Sequence, residues 1–246
     1  MGEEKIKKAA ELTSRAKYVV ALTGAGMSTE SGIPDFRSPG GLWSKFDPEE
    51  FGSISSFMRD PTKFYQIADE FRSVFSAQPN EGHRALAKLE QMGKLKSVIT
   101  QNIDGLHQAA GSKNVIELHG NLREAKCMKC RKVYPIENLI EKAFQKNEIP
   151  PKCDECGGIL KPNVVMFGEQ LPPAALDSAF NQARECDLLI VAGSSLVVSP
   201  ANLLPDEALA HGAKLIIVNA EQTPLDRFAT LILRGKIGEI LPRIAE

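Results

Sequence analysis

Long apolar runs are missing from this sequence. The longest are YVVAL (18–22), LLIVA (188–192) and LIIV (215–218), all far short of the roughly 20 residues a helix needs to cross a bilayer, so a helical membrane span is excluded. Charge of either sign is not in excess: 30 Lys and Arg face 31 Asp and Glu, for a net charge of −1. That leaves no electrostatic footprint for nucleic acid. The basic residues Arg123, Lys126, Lys129, Arg131 and Lys132 do gather, but Glu137 and Glu141 follow, and the group reads as solvated surface. Aromatics are few, with one Trp and three Tyr, and only four histidines occur, which narrows the search for a base working near neutral pH. No internal repeat, low-complexity tract or signal peptide is recognised, so reduced thiols and a cytoplasmic location are expected.

Four of the five cysteines form two Cys-x-x-Cys pairs, Cys127 with Cys130 and Cys153 with Cys156, separated by 22 residues. Four reduced thiols so spaced predict a tetrahedral Zn²⁺ site. Four thiolates fill the coordination shell, so the metal is structural and the chemistry lies elsewhere. A thioredoxin-like redox site needs one such motif at a helix start, not two. Cys186, in ECDLLIVAG, reads as a buried small apolar residue.

The chain has room for one large domain and a smaller module. Residues 3–16 carry Ile6, Ala9, Ala10, Thr13 and Ala16 on one helical face. Short apolar strands are predicted over 18–22, 97–100, 115–118, 188–192 and 215–218, with helices over 84–92, 174–186 and 200–211. This alternation predicts an α/β fold with a Rossmann-like, doubly wound parallel sheet, whose ligands bind beyond the carboxyl ends of the strands. Polar clusters sit at those ends: Gly24–Gly26, Gln101–Asp104, His119, Ser194 with Ser195, and Asn219. Two stretches break the alternation. Residues 38–83 hold Gly and Pro followed by aromatic-rich helical pieces, and 123–160 hold the cysteines. The expected division is a nucleotide-binding domain of 1–37, 84–122 and 161–246, with a small domain made of the helical insertion 38–83 and the zinc module 123–160.

Gly24-Ala25-Gly26-Met27-Ser28-Thr29 follows a strand. Glycines there allow close approach of a pyrophosphate, and N–H groups at a helix start would cradle its charge; a purely structural tight turn uses similar residues. In Gly32-Ile33-Pro34-Asp35-Phe36-Arg37, arginine offers a charged donor fork and phenylalanine a screen against water, although Asp35 and Arg37 could equally be a surface ion pair. Gln101, Asn102 and Asp104 suit ribose hydroxyls or a carboxamide, and Asn102 and Asp104 could also cap the following helix. His119, ending a strand before a glycine, is placed to face the crevice as a base. His83 and His107 read as structural helix residues and His211 as a helix C-cap.

Taken in order, these motifs resemble the sirtuins, the NAD-dependent protein deacylases. The resemblance rests on Thr23–Ser28, Gly32–Arg37, Thr100–Asp104, Glu117–Gly120, the four cysteines, Pro162–Glu169, Gly193–Val198 and Asn219–Glu221. It covers nearly the whole chain, and the short termini suggest a bare catalytic core of bacterial or archaeal type. The resemblance implies NAD as co-substrate between the two domains, a structural zinc, and acyl-lysine entering from the opposite side. In the family the acyl oxygen attacks C1′ of the nicotinamide ribose and nicotinamide leaves. The histidine matched by His119 then deprotonates a ribose hydroxyl, and the products are free lysine and O-acyl-ADP-ribose. By matching position, His119, Asn102 and Phe36 would be catalytic, Phe36 guarding the reactive carbon from water. Gly24, Ala25, Gly26, Thr29, Asp35, Phe36, Arg37, Gln101, Ile103, Asp104, Gly193, Ser194, Ser195, Asn219, Ala220, Glu221, Lys236 and Ile237 would bind NAD. Val165, Phe167, Gly168, Glu169 and Val197 would hold the acyl-lysine and clamp its peptide as an added strand.

Sirtuins that remove succinyl or malonyl groups carry a Tyr-x-x-Arg pair where this sequence has Ala68 and Phe71. An acidic acyl group would meet no cation there, so acetyl or longer neutral groups are expected. Three other readings remain: protein mono-ADP-ribosyl transfer by the same C1′ chemistry, a zinc-ribbon module binding nucleic acid, and a hydride-transferring dehydrogenase. The near-neutral charge disfavours the second. The third leaves the cysteines and Gln101–Asp104 unexplained. A monomer is expected.

Overall fold

A computed structural model describes residues 2–36, 40–67 and 72–246. Arg37, Ala68 and Phe71, singled out above, lie outside the described residues. The chain opens with helix α1 (Glu3–Arg15) and strand β1 (Val19–Thr23). Short helices follow: α2 (Leu42–Lys45), α3 (Pro48–Phe51), α4 (Ile54–Arg59), α5 (Thr62–Gln66) and α6 (Arg72–Ser76). Then come α7 (Glu81–Gln91), β2 (Leu95–Thr100), α8 (Leu106–Ala109), β3 (Val115–Glu117), β4 (Gly120–Cys127), β5 (Val133–Pro135) and α9 (Ile136–Ile140). The chain closes with β6 (Leu160–Val164), α10 (Pro173–Glu185), β7 (Leu188–Ala192), α11 (Leu204–Ala210), β8 (Lys214–Val218), β9 (Leu231–Leu233) and α12 (Ile237–Ile244).

Six strands form a sheet in the order β3-β2-β1-β7-β8-β9, and every neighbouring pair is parallel. β1, β7 and most of β8 are buried on both faces, which is why they are continuous apolar runs rather than alternating ones. The period-2 pleat still divides them. Val19 and Ala21 pack toward α1, α7 and α12, while Val20 and Leu22 pack toward α10 and α11. Strand order reverses between β1 and β7, and the carboxyl ends there open the crevice where such sheets bind ligands.

Two elements escape the pattern reading. β9 has only three residues, and α12 carries Gly238 and Pro242, both poor helix formers. α12 is held by burial of Ile237, Ile240, Leu241 and Ile244 in the core. Among the described residues no helix is long and apolar enough to cross a membrane.

The smaller domain combines the helical insertion with a three-stranded antiparallel sheet, β5-β4-β6. Phe57 and Tyr65 of the insertion share a core with Tyr134, Ile136, Leu139, Leu160 and two of the cysteines. The Tyr65 hydroxyl donates to the Leu160 carbonyl at 2.6 Å. β4 begins at Gly120 and β6 at Leu160, so both strands run across the 122/123 and 160/161 seams read from sequence. Pattern shows where alternation breaks, not which sheet a strand joins.

Candidate active site

The turn after β1 departs from the helix start expected at Gly24–Thr29. Two single-turn 3₁₀ helices, Ala25–Met27 and Thr29–Ser31, stand there instead. Its glycines meet another loop. Gly24 N–H donates to Ala192 O at 3.1 Å and Gly26 N–H to Gly193 O at 2.9 Å. Gly193 has φ +65, and a Cβ on it would lie 2.2 Å from Met27 N. The two loops at the switch point thus touch through bare backbone, which only glycine allows.

Around this contact the polar side chains interlock. Asn102, buried, donates from Nδ2 to Gly24 O and to Ser28 Oγ, both at 3.1 Å. Ser28 Oγ donates to Asp104 Oδ2 at 2.7 Å, and Asp104 Oδ1 accepts from Leu106 N at 2.9 Å. Asp104 thus makes the cap-type bond considered for it, to the N–H of the first residue of α8. Burial pushes its carboxyl above the ordinary range. Gln101 Nε2 donates to Ser194 Oγ at 2.9 Å, tying the end of β2 to the end of β7. Ile103 O accepts from Leu122 N at 3.0 Å.

His119 Nδ1 lies 2.9 Å from Gln101 O. A carbonyl only accepts, so Nδ1 carries the proton and Nε2 keeps its lone pair. Burial holds the ring below the usual imidazole range. His119 is thus a neutral base with a defined tautomer. Phe36 stacks on Trp43 (centroids 5.5 Å), and Trp43 meets Phe167 (5.8 Å). Trp43, which joins the two candidate residues Phe36 and Phe167, is one that sequence reasoning did not single out. It lies in a Gly- and Pro-punctuated stretch, and its only signal was being the single tryptophan.

The remaining candidates spread along the strand ends. Leu196 has φ 55 and is buried, with its N–H on Ser194 Oγ at 3.2 Å; this turn leaves Val197 53% exposed beside Ser195. Asn219 is buried after β8, while Ala220 and Glu221 are exposed. Lys236 is exposed and pairs with Glu239 at 3.6 Å. Ile237 is 5% exposed and packs in the core at the start of α12. Thr29 is exposed and donates to Gly26 O at 3.0 Å. Asp35 and half-buried Phe36 close the described part of the loop before Arg37. A cavity of ≈ 680 Å³ lined by Glu30, Asn80, Arg84 and Glu239 includes neither His119 nor Asn102; the convergence of polar groups, not cavity size, locates the site.

His83 and His107 are buried, with rings 4.8 Å apart. Burial lowers their pKa to about 4 and about 3. Asn80 N–H donates to His83 Nδ1 at 3.3 Å, and His107 Nε2 lies 2.9 Å from Thr23 Oγ1. Both are neutral structural residues, as expected, and His211 caps α11. Since their folded-state values lie below the unfolded value of about 6.5, acid favours the unfolded chain. Stability is expected to fall as pH drops below about 6.5, with these two groups together adding a slope on the order of 2–3 kcal/mol per pH unit around pH 5. Urea unfolding at pH 7, 6 and 5 measures it; equal stabilities across that range would contradict neutral burial.

The four cysteine sulfurs lie within 4.8 Å of one another. Cys127 and Cys156 Sγ are 3.5 Å apart and Cys130 and Cys153 Sγ 3.7 Å apart. Tetrahedral Zn–S bonds of about 2.3 Å place sulfurs about 3.8 Å apart, so the set fits zinc with no ligand position to spare. The Lys129 and Cys130 N–H groups approach Cys127 Sγ at 3.4 and 3.5 Å. Tyr134 OH donates to Cys153 Sγ at 3.0 Å and holds that thiol down to about 6. Cys186 is buried elsewhere, its thiol on Ala183 O.

A parallel sheet with its crevice at the strand reversal, a neutral histidine facing it and a separate four-thiol module define a nucleotide-using enzyme with a structural metal. Residues 24–200 match the Sir2 family, and the chain belongs to that family. It is 49% identical to the NAD-dependent protein deacetylase of Sulfurisphaera tokodaii, over 97% of this chain and 94% of that protein. Two solved Sir2 structures are similar in fold. One, bound to a p53 peptide and NAD⁺, has a TM-score of 0.91 at 45% identity, over 98% and 97% of the two chains. The other, bound to a deacetylated p53 peptide and 3′-O-acetyl ADP-ribose, has a TM-score of 0.93 at 45% identity, also over 98% and 97%.

Proposed function

We propose that this protein removes acetyl groups from protein lysines with consumption of NAD, yielding nicotinamide, O-acetyl-ADP-ribose and free lysine. The observation that carries this reading is His119, fixed by Gln101 O as a neutral base with Nε2 free, beside a crevice lined by Asn102, Asp104 and Ser194. An amide is a poor electrophile. Making its oxygen the nucleophile toward C1′, with neutral nicotinamide leaving, avoids that difficulty. His119 Nε2 then takes a proton from a ribose hydroxyl, whose oxygen attacks the carbon that was the acyl carbonyl. The lysine amine leaves, and water adds to that carbon as its bond to the C1′ oxygen breaks, leaving the acetyl group as an ester on the ribose. Asn102, with both Nδ2 hydrogens committed, offers its Oδ1 to the ribose or to water. Gln101, Ile103 and Asp104 hold the nicotinamide end. Gly24, Ala25, Gly26, Gly193, Ser194 and Ser195 lie along the pyrophosphate, and Asn219, Ala220, Glu221 and Lys236 at the far end. Phe36, supported by Trp43, keeps water from the reactive carbon.

The peptide enters as an added strand along Val165–Gly168, facing Val197. Phe167 already uses both its backbone groups on Gly52 and Ile54, whereas Val165 C=O and Gly168 N–H have no backbone partner among the described residues, an edge suited to strand addition. The Phe36–Trp43–Phe167 wall is apolar, which together with Ala68 and Phe71 favours acetyl and longer neutral acyl groups over succinyl. We further propose 1–37, 84–122 and 161–246 as the NAD-binding unit and 38–83 with 123–160 as the small one, β4 and β6 crossing the seam. The thiol set suits a reducing cytoplasm, and the chain is taken to act as a monomer.

Mass spectrometry of the protein with NAD and an acetyl- or succinyl-lysine peptide tests this. Loss of the acetyl mass with appearance of nicotinamide and O-acetyl-ADP-ribose is expected, with little succinyl turnover. Nicotinamide release with ADP-ribose attached to protein would instead indicate ADP-ribosyl transfer.

A further inference from the structure

Among the described residues Lys161 is the only buried Lys, Arg, Asp or Glu, at 6% exposure. It sits on β6, opposite Lys126 of β4. Its ammonium donates to Val164 O at 2.6 Å and pairs with Glu169 Oε2 at 2.9 Å. That same Oε2 accepts from Met166 N at 2.8 Å. One cation therefore clips both ends of the segment 164–169. Inside the clip, Val165 N–H donates to His119 O at 2.8 Å, and Phe167 bonds Gly52 O and Ile54 N, each at 2.9 Å. The clipped segment joins the base on one side to the helical insertion on the other, and its own ring, Phe167, lies against Trp43.

A buried ion pair is a poor source of net stability, because desolvating both charges offsets their attraction. What it provides is geometry: an ammonium with fixed acceptors sets where each acceptor must lie. The acceptors here are a carbonyl at the end of a strand and a carboxylate at the far side of the peptide-binding turn.

We propose that Lys161 is a positioning residue for the acyl-lysine peptide, setting the path of residues 164–169, and that Glu169 serves as its counter-ion rather than as a contact to the peptide. This rests on the deacylase reading above. Among the described residues, the hydrogen bonds and ion pair of the clip reach Val164, Met166 and Glu169 and none of the Gly24–Gly193 contact, so the effect of breaking it falls on peptide binding and not on NAD.

The test is steady-state kinetics with an acetyl-lysine peptide, with NAD affinity measured by calorimetry and peptide affinity by fluorescence anisotropy. Lys161→Met is expected to raise peptide KM and Kd roughly tenfold or more, since small misplacements of a binding segment are costly, while NAD Kd stays within about twofold. Lys161→Arg, which keeps a cation, is expected to recover most of the peptide affinity. Glu169→Gln is expected to weaken the peptide as well, and the Lys161→Met/Glu169→Gln double variant to be no worse than Lys161→Met alone, because the two act through one contact. Unchanged peptide affinity in folded Lys161→Met overturns the proposal, as does a parallel loss of NAD affinity. If Lys161→Met fails to fold, Glu169→Gln decides: unchanged peptide KM there overturns it equally. A wild-type protein that releases no nicotinamide with any acyl peptide would sink the deacylase reading itself, a result separate from any of these.

Discussion

Replacing His119 by alanine is expected to cut product formation by at least about 10²–10⁴-fold, the usual contribution of a general base, while NAD affinity remains near that of the wild type. Among the described residues the ring reaches no other side chain through a hydrogen bond; its bond goes to the backbone carbonyl of Gln101. Its loss therefore leaves the Asn102–Ser28–Asp104 and Gln101–Ser194 links standing. Calorimetric titration of His119→Ala with NAD, beside a mass-spectrometric turnover assay, separates the two effects. Turnover within tenfold of wild type would remove His119 from its role. The pH dependence has a definite sign. A base must be unprotonated, and burial lowers the His119 pKa, so its base form persists below the ordinary histidine value of about 6.5. The acid limb of kcat/KM is expected to fall below that pH.

Removing the metal is expected to have the second largest effect. Cys127 and Cys153 belong to the core of the small domain, together with Tyr134, Ile136, Leu139 and Leu160. Four-thiolate zinc sites contribute on the order of 10 kcal/mol or more to folding, more than the whole net stability of many domains. Cys153→Ser, or a strong chelator, should therefore melt the small domain and abolish turnover without touching a reacting atom. Zinc release measured by a colorimetric dye, followed in parallel by circular dichroism and activity, checks this. A Cys153→Ser protein that remains folded and active without zinc would refute the structural assignment.

Much of this architecture was legible in the chain. β1, β7 and β8 are short apolar runs ending in polar clusters, and burial on both faces writes just that pattern. The four cysteines announced their site through spacing alone. Other features depend on contacts between residues distant in sequence, which no local pattern encodes. Gly24 and Gly26 read as a phosphate turn, and that they also lie against the Gly193 loop, where an added Cβ would meet Gly193 and Ser194, was not legible. Glu169 looked like part of the peptide clamp, yet its carboxylate is engaged by Lys161, eight positions earlier on β6. Ile237, expected at the cofactor, is also packed into the core with Ile240, Leu241 and Ile244, which its sequence position does not reveal. β9 and α12 escaped because three residues carry no period and because Pro242 argues against the helix that burial nevertheless holds.

His119 stands at a joint. β3 of the large sheet ends at Glu117, and β4 of the small sheet begins at Gly120. Gly120 has φ +75, and a Cβ there would lie 2.0 Å from Asn163 O, so the chain can pass between the sheets only at a residue without a side chain. His119, the proposed proton acceptor, is the last residue before that passage, and its own carbonyl is bonded to Val165 N. Its ring is aimed by the large sheet and its backbone is shared with the small one. The β4–β6 pair, which runs from Gly120 opposite Val164 to the zinc ligand Cys127 opposite Leu160, therefore links the backbone on the far side of the joint to the metal-holding turns.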